Sequence, residues 1–189
     1  MYYSVSTIGS NESDIGLATS TSMDVGSWTD HGSIGIPADV QYNRIDPNLF
    51  HYSTSSPFYL SFGSYWDGIF QVPMDTPPLQ TSGDFVHLEQ NTTIRPENLP
   101  TNPNEGSYQF WWNVDGIDYY YLFFSSGTCC NEPPELVPQG EEYHVMVCRS
   151  TQPTDGFRDK DGRDCLTENG GTLVLESHDD VYAPGGQGE

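Results

Sequence analysis

A chain of 189 residues that sets 27 acidic side chains against 6 basic ones carries a formal charge of -21, which argues against nucleic acid or an anionic membrane surface as a partner and favours a neutral or cationic ligand. Its 19 glycines, 14 prolines and 13% aromatic content, without a long helix-forming run, point to an all-β fold. No apolar run is long enough to cross a membrane as a helix.

The chain opens on Tyr2-Tyr3-Ser4-Val5-Ser6, which reads as the middle of a strand with no signal peptide ahead of it. With a Gly-rich turn at Gly185-Gly186-Gln187-Gly188 just before its end, it is expected to be a piece of a longer protein. Ile15 to Ser20 reads as a second strand, followed by a turn at Trp28-Thr29-Asp30-His31-Gly32. A second unit repeats the grammar with Phe58 to Ser64 and Gly68 to Met74. A third runs through Asp118 to Ser126, Tyr143 to Ser150 and Phe157 to Gly162, and a fourth is expected to begin at Gly170-Gly171-Thr172-Leu173-Val174-Leu175. Gly, Pro, Asn and Ser clusters separate the short strands, and the units recur at about 60 residues. Such a repeat of short antiparallel strands indicates β-propeller blades rather than a sandwich.

In a propeller the innermost strand of each blade lines a central channel, so acids at corresponding blade starts converge. Two stretches hold such acids: Tyr42-Asn43-Arg44-Ile45-Asp46-Pro47-Asn48 and Asn104-Glu105-Gly106-Ser107. Asp46 and Glu105 are therefore expected to face each other. Glu105 stands beside a glycine and ahead of the aromatics Tyr108, Phe110 and Trp112, a pattern that presents one ionisable group at a sheet rim. The segment Asn91 to Asn104, with Arg95 as its base, and the acidic segment Asn131 to Glu142 read as rim loops.

Cys129, Cys130, Cys148 and Cys165 show no CxxC spacing and few nearby histidines, so two disulfides are expected rather than zinc. Joining the vicinal pair strains the chain, so Cys129 and Cys130 are each expected to reach a distant partner, Cys148 and Cys165 in either order. Asn11-Glu12-Ser13 and Asn91-Thr92-Thr93 are glycosylation acceptors, consistent with a secreted, extracellular protein. His178, among Glu176, Asp179 and Asp180, reads as a solvated loop histidine rather than a metal ligand.

Tyr42 to Asn48, Ser61-Phe62-Gly63-Ser64-Tyr65-Trp66-Asp67-Gly68-Ile69, Glu105-Gly106-Ser107-Tyr108, Gly170-Gly171-Thr172 and Pro184-Gly185-Gly186-Gln187 together resemble family 43 glycoside hydrolases, in particular the endo-1,5-alpha-L-arabinanases. Cys129-Cys130 after Ser125-Ser126-Gly127, with Val147-Cys148-Arg149-Ser150, is similar to the fungal secreted form. The resemblance implies a five-bladed β-propeller, of which residues 1–189 would supply part of blade 2, blades 3 and 4 and the start of blade 5. It implies inverting cleavage of internal alpha-1,5 links in arabinan, a pectin side chain, by a monomeric full-length enzyme. Glu105 matches the general acid, and Asp46 matches the aspartate that tunes the pKa of that acid. The general base belongs to a His-Asp-Pro type motif on the first blade, which these residues lack, as they lack a Trp-Ala-Pro-Asp segment. Many members hold an axial cation through a histidine near the final Gly-rich turn. That turn reads Gly185-Gly186-Gln187 here, so no cofactor or metal is expected.

The residue types suit this chemistry on their own terms. Inversion requires a protonated carboxyl on the leaving oxygen and an ionised carboxylate activating water on the opposite face, about 6.5–9.5 Å away. An ionised Asp46, with burial among Tyr108, Phe110 and Trp112, is expected to keep Glu105 protonated near neutral pH. Asn43, Ser64, Tyr65 and Trp66 are candidate sugar contacts, since an arabinofuranose offers an apolar face to rings and hydroxyls to polar neighbours. Packing between blades is the competing role for Trp66. A non-catalytic carbohydrate-binding propeller and an exo-acting arabinofuranosidase or xylosidase are the alternative functions. About three blades leave sheet faces and edges open, so the isolated chain is expected to associate and to be inactive.

Overall fold

The computed structural model describes residues 1–92 and 103–188. Among them are eleven strands and no helix. β1 (Tyr2–Ser6), β2 (Ser13–Thr19) and β3 (Thr29–Ser33) form a first sheet; β4 (Asn48–Phe50), β5 (Phe58–Phe62), β6 (Ile69–Met74) and β7 (Val86–Glu89) form a second. β8 (Asn104–Val114), β9 (Ile117–Ser126), β10 (His144–Ser150) and β11 (Thr172–Leu175) form a third. Neighbouring strands follow chain order and pair antiparallel throughout, the meander that a propeller blade requires.

Local chemistry explains the hairpins. β8 turns into β9 at Asp115-Gly116, both left-handed at φ 51° and 84°, a pair that adopts the twist of a two-residue hairpin at low cost. The Gly116 N–H donates to Asn113 Oδ1 at 3.1 Å and closes the turn. β5 and β6 read as almost continuous apolar runs because the second sheet is covered on both faces. On one face Leu60, Phe62, Phe70, Val72 and Met74 pack against Ile15, Leu17, Ile34, Ile36 and Tyr42. On the other, Phe50, Ile69 and Leu88 meet Tyr120, Leu122, Phe124, Cys148, Phe157 and Cys165.

Four expectations are corrected. Residues 29–32, read as a turn, belong to β3, which pairs antiparallel with β2. Residues 172–175 do not open a fourth unit: β11 is the outer strand of the third sheet, paired with β10. Residues 157–162 form no strand; bridges from Arg158 to Arg149 and to Asp164 fold them into a loop against β10. The disulfides join Cys129 to Cys130 and Cys148 to Cys165. Strand register explains the pairing. Cys148 lies opposite Leu122, four positions along β10 from His144 and about 13 Å from the end where β10 leaves the Cys129 loop. Cys165 returns over it in the core, with Cα atoms 6.5 Å apart. Most of the expected connector over 91–104, Arg95 included, lies outside the described residues, as does Thr93 of the second glycosylation acceptor.

Candidate active site

The acids sit where the three sheets meet. The segment ahead of β4 is tied to the first sheet: Arg44 N donates to Ser13 Oγ at 2.8 Å, and its guanidinium donates to Ile36 O at 2.9 Å and pairs with Asp14 at 3.5 Å. Asp46 follows in the left-handed region at φ 56°, which a short polar side chain tolerates. Its N–H donates to Ser4 Oγ at 3.3 Å, and the Ile45 carbonyl accepts from Gly63 N at 3.0 Å. Asn43 is buried nearby with its Oδ1 lacking a partner.

Glu105 is the second residue of β8. Its backbone pairs with Ser125 on one side and bridges Ser64 of the second sheet on the other. A bulge between Glu105 and Tyr108, with Gly106 at φ 61°, bends the strand there and re-aims the acid. The Glu105 carboxylate accepts from the Ser64 hydroxyl at Oε2 and from the Tyr143 hydroxyl at Oε1, the latter at 2.8 Å. Burial pushes the Tyr143 hydroxyl far above the usual phenol range, and the charges of Glu105 and Asp46 add to this against an opposing bond to Ser125, so Tyr143 stays a neutral donor. Asp46 is pushed up to about 6, first by burial and then by the Glu105 charge, against the lowering effect of the Gly106 N–H. Asp46 therefore lies within electrostatic reach of Glu105 and is bonded to the N–H of Gly106, the residue that follows Glu105. Of the aromatics expected around Glu105, Phe110 and Trp112 instead stack on one another at 6.1 Å, and Trp112 is 58% exposed.

Ser64, Tyr65 and Trp66 form one turn between β5 and β6. Gly63, Tyr65, Trp66 and Gly68 all have positive φ, at 126°, 56°, 44° and 82°. For the two aromatics this backbone costs about 1–3 kcal/mol each, so the surroundings must impose it. They do: Tyr65 N donates to Asn104 O at 3.0 Å, Asp67 N to Gln41 O at 2.9 Å, and His87 Nε2 to Asp67 O at 2.5 Å. A Cβ on Gly63 would stand 2.1 Å from Gly68 O, and one on Gly68 would stand 2.5 Å from Glu89 O. The turn, with Tyr65 and Trp66 half-buried, begins at Ser64, whose backbone bridges Glu105.

Tyr143 was not singled out from the sequence, where it reads as one more strand aromatic. Only the β9–β10 register brings it to the acid. Gln187, met in the sequence only as part of the final Gly-rich turn, donates from Nε2 to Gly106 O and accepts from Ser125 Oγ at 2.9 Å. Gly185 packs flat on the Tyr143 ring, where a Cβ would come within 2.1 Å. Where the resemblance places a cation-holding histidine near this turn, this chain has Gln187, whose amide is engaged with Gly106 and Ser125. Among the described residues no three of His, Cys, Asp and Glu gather around a common point, and His178 is a surface residue beside Asp179 at 3.3 Å. A recess of about 760 Å³ lies on the face of the third sheet turned away from the second; Tyr119, Tyr121, Arg149 and Lys160 line it, and neither acid does.

The chain is 50% identical to the Aspergillus niger arabinan endo-1,5-alpha-L-arabinosidase A over 190 aligned residues, covering 100% of this chain and 55% of that protein. Its fold matches a family 43 endo-arabinanase from Bacillus licheniformis with a TM-score of 0.78 at 33% identity, over 100% of this chain and 59% of that one. It also matches a Cellvibrio cellulosa alpha-L-arabinanase complexed with arabinohexaose, with a TM-score of 0.73 at 27% identity, over 93% and 56% of the two chains. The chain therefore spans about half the length of the relatives it matches. Residues 1–189 match the Glycosyl hydrolases family 43 pattern from end to end, and the chain belongs to that family.

Proposed function

We propose that this protein hydrolyses internal alpha-1,5-L-arabinofuranosidic links of arabinan with inversion, Glu105 acting as general acid and Asp46 setting the electrostatic field at it. The observation that carries this reading is the cradle of Glu105: one carboxyl held by two hydroxyl donors, with a second, partly buried carboxyl bonded to the next residue's N–H. Glu105 delivers its proton to the leaving oxygen. The carboxylate that remains is the species that Ser64 and Tyr143 stabilise by donating to it. Asp46, ionised above about pH 6, carries its charge beside this step. The general base lies outside these residues, on a further blade of a five-bladed ring to which the three sheets described above contribute part of blade 2 and blades 3 and 4.

Tyr65 and Trp66 form the aromatic floor for a sugar ring, with Asn43 and Ser64 as polar contacts. The relatives named above act on arabinan or carry an arabinose hexamer by name, which supports this substrate. The enzyme works as a secreted monomer without a cofactor. The test is release of reducing ends from debranched arabinan by the full-length protein and its Glu105→Gln variant. A loss of about 10³-fold is expected, while unchanged activity in Glu105→Gln would sink the assignment. The 189-residue chain alone is expected to be inactive.

A further inference from the structure

Behind the acid lies a second carboxyl that the mechanism does not use. Glu89, at the end of β7, is 0% exposed, and its Oε1 accepts from the side-chain nitrogen of Asn104, itself 3% exposed. Two atoms of this pair are left over. Glu89 Oε2 and Asn104 Oδ1 are both buried and both without a partner, although their side chains already touch at the other end. With an ionised carboxylate this arrangement is costly, because both leftover atoms are buried acceptors and neither brings a proton. A single proton on Oε2 resolves both vacant positions at once. It turns Glu89 into a donor toward Asn104 Oδ1 and closes an eight-membered ring of two parallel hydrogen bonds, the arrangement of a carboxylic acid facing a carboxamide.

We propose that Glu89 and Asn104 form such an acid–amide pair, with Glu89 permanently protonated, and that this pair is a positioning element for Glu105. Burial drives Glu89 well above the usual carboxylate range, and the only opposing influence is the Asn104 bond. The placement of the pair gives it its role. Asn104 immediately precedes Glu105 in β8, and its carbonyl accepts from Tyr65 N of the left-handed turn. The backbone of Glu89 abuts Gly68 at the other end of that turn. A neutral, doubly bonded ring thus locks the outer strand of the second sheet to the first residue of the third, and the Ser64–Glu105 contact lies one residue further on. Neutrality matters here, because an ionised Glu89 would add a second negative charge, beside that of Asp46, to the surroundings of the Glu105 carboxyl.

Two readouts test this, and the positioning role rests on the reading of Glu105 as the acid. The first needs no substrate: the infrared difference spectrum between the full-length protein and Glu89→Gln at neutral pH is expected to show the carbonyl band of a protonated carboxylic acid. A difference spectrum with only carboxylate bands overturns the pair, whatever the activity. The second compares variants. Glutamine reproduces the ring, with its amide donating to Asn104 Oδ1 and accepting from Asn104 Nδ2, so Glu89→Gln is expected to keep kcat within about threefold and to leave the Glu105 amide resonance in place. Glu89→Ala opens the ring and is expected to move that resonance and lower kcat more than tenfold with little change in KM. Equal losses in Glu89→Gln and Glu89→Ala overturn the positioning role. A protonated-acid band in a protein inert toward arabinan would uphold the pair and defeat the proposed function instead.

Discussion

The second sheet has two faces, and they are built on opposite principles. Toward the first sheet it is packed with Leu60, Phe62, Phe70, Val72 and Met74, and Tyr42 joins the rings of Phe62 and Phe70 at centroid distances of 5.2 and 5.0 Å. Toward the third sheet the apolar cluster is crossed by polar pairs: Ser107 to Ser61 at 2.9 Å, Gln71 to Gln109 at 2.5 Å, and Gln109 N to Asn48 Oδ1 at 3.2 Å. The polar line ends at Ser64 and Glu105. A face that carries an ionisable group needs donors and acceptors at fixed positions, and each of these must itself be satisfied. The first interface is therefore adhesive, and the second is adhesive and oriented.

The largest expected effect lies on the adhesive face. Phe62 is completely buried, and Phe62→Ala should cost about 3–5 kcal/mol of stability. Denaturant unfolding measures that loss, and kcat per folded molecule should stay at the parent value. A comparable fall in kcat would mean that the two faces are mechanically coupled.

The oriented face should show the reverse pattern. Folding raises the Asp46 carboxyl from its ordinary 3.8 to about 6. Its contribution to stability is therefore fully present below pH 3.8, falls as pH rises to about 6, and stays lost above that. Asp46→Asn removes this penalty and should stabilise the protein at neutral pH by up to about 3 kcal/mol, less for residual exposure, while abolishing most activity. Melting curves across that pH range would show the parent's slope vanish in the variant; an unchanged slope would remove Asp46 from the account.

A smaller effect is expected from Tyr143→Phe, which deletes one hydroxyl to a charged acceptor. A hydrogen bond of that type contributes about 1.5–3 kcal/mol, so kcat should fall about tenfold to a hundredfold with KM nearly constant. A rise in KM alone would make Tyr143 a substrate contact.

The adhesive face was the legible one. Tyr2–Ser6 and the runs in β2, β5 and β6 announce themselves through β-branched and aromatic residues between turn formers. β4 escaped notice because three residues carry no periodicity, and β7 because His87 and Glu89 break the apolar pattern of a strand buried by its neighbours. Asp46 and Glu105 stood out through their motifs. Tyr143 did not, and Gln187 stood out only as part of a Gly-rich turn, since strand register and a tail crossing make them partners of the acid. Disulfide pairing was hidden for the same reason: the position of Cys148 on β10 decides it, and neither residue type nor spacing records that position.

The crossing made by Gln187 also sets a timetable. Its amide reaches Gly106, 81 positions earlier, and the neighbouring Gly186 N–H reaches Ser125, 61 positions earlier. During synthesis β8 can pair with β9 before residue 187 leaves the ribosome, a wait of roughly 3–12 s at 5–20 residues per second. Through that interval Tyr143 lacks the glycine turn that lies on its ring. The acid's setting is thus completed only after β8 and β9 have been made, so a nascent chain can pair these two strands before Glu105 has all of its surroundings.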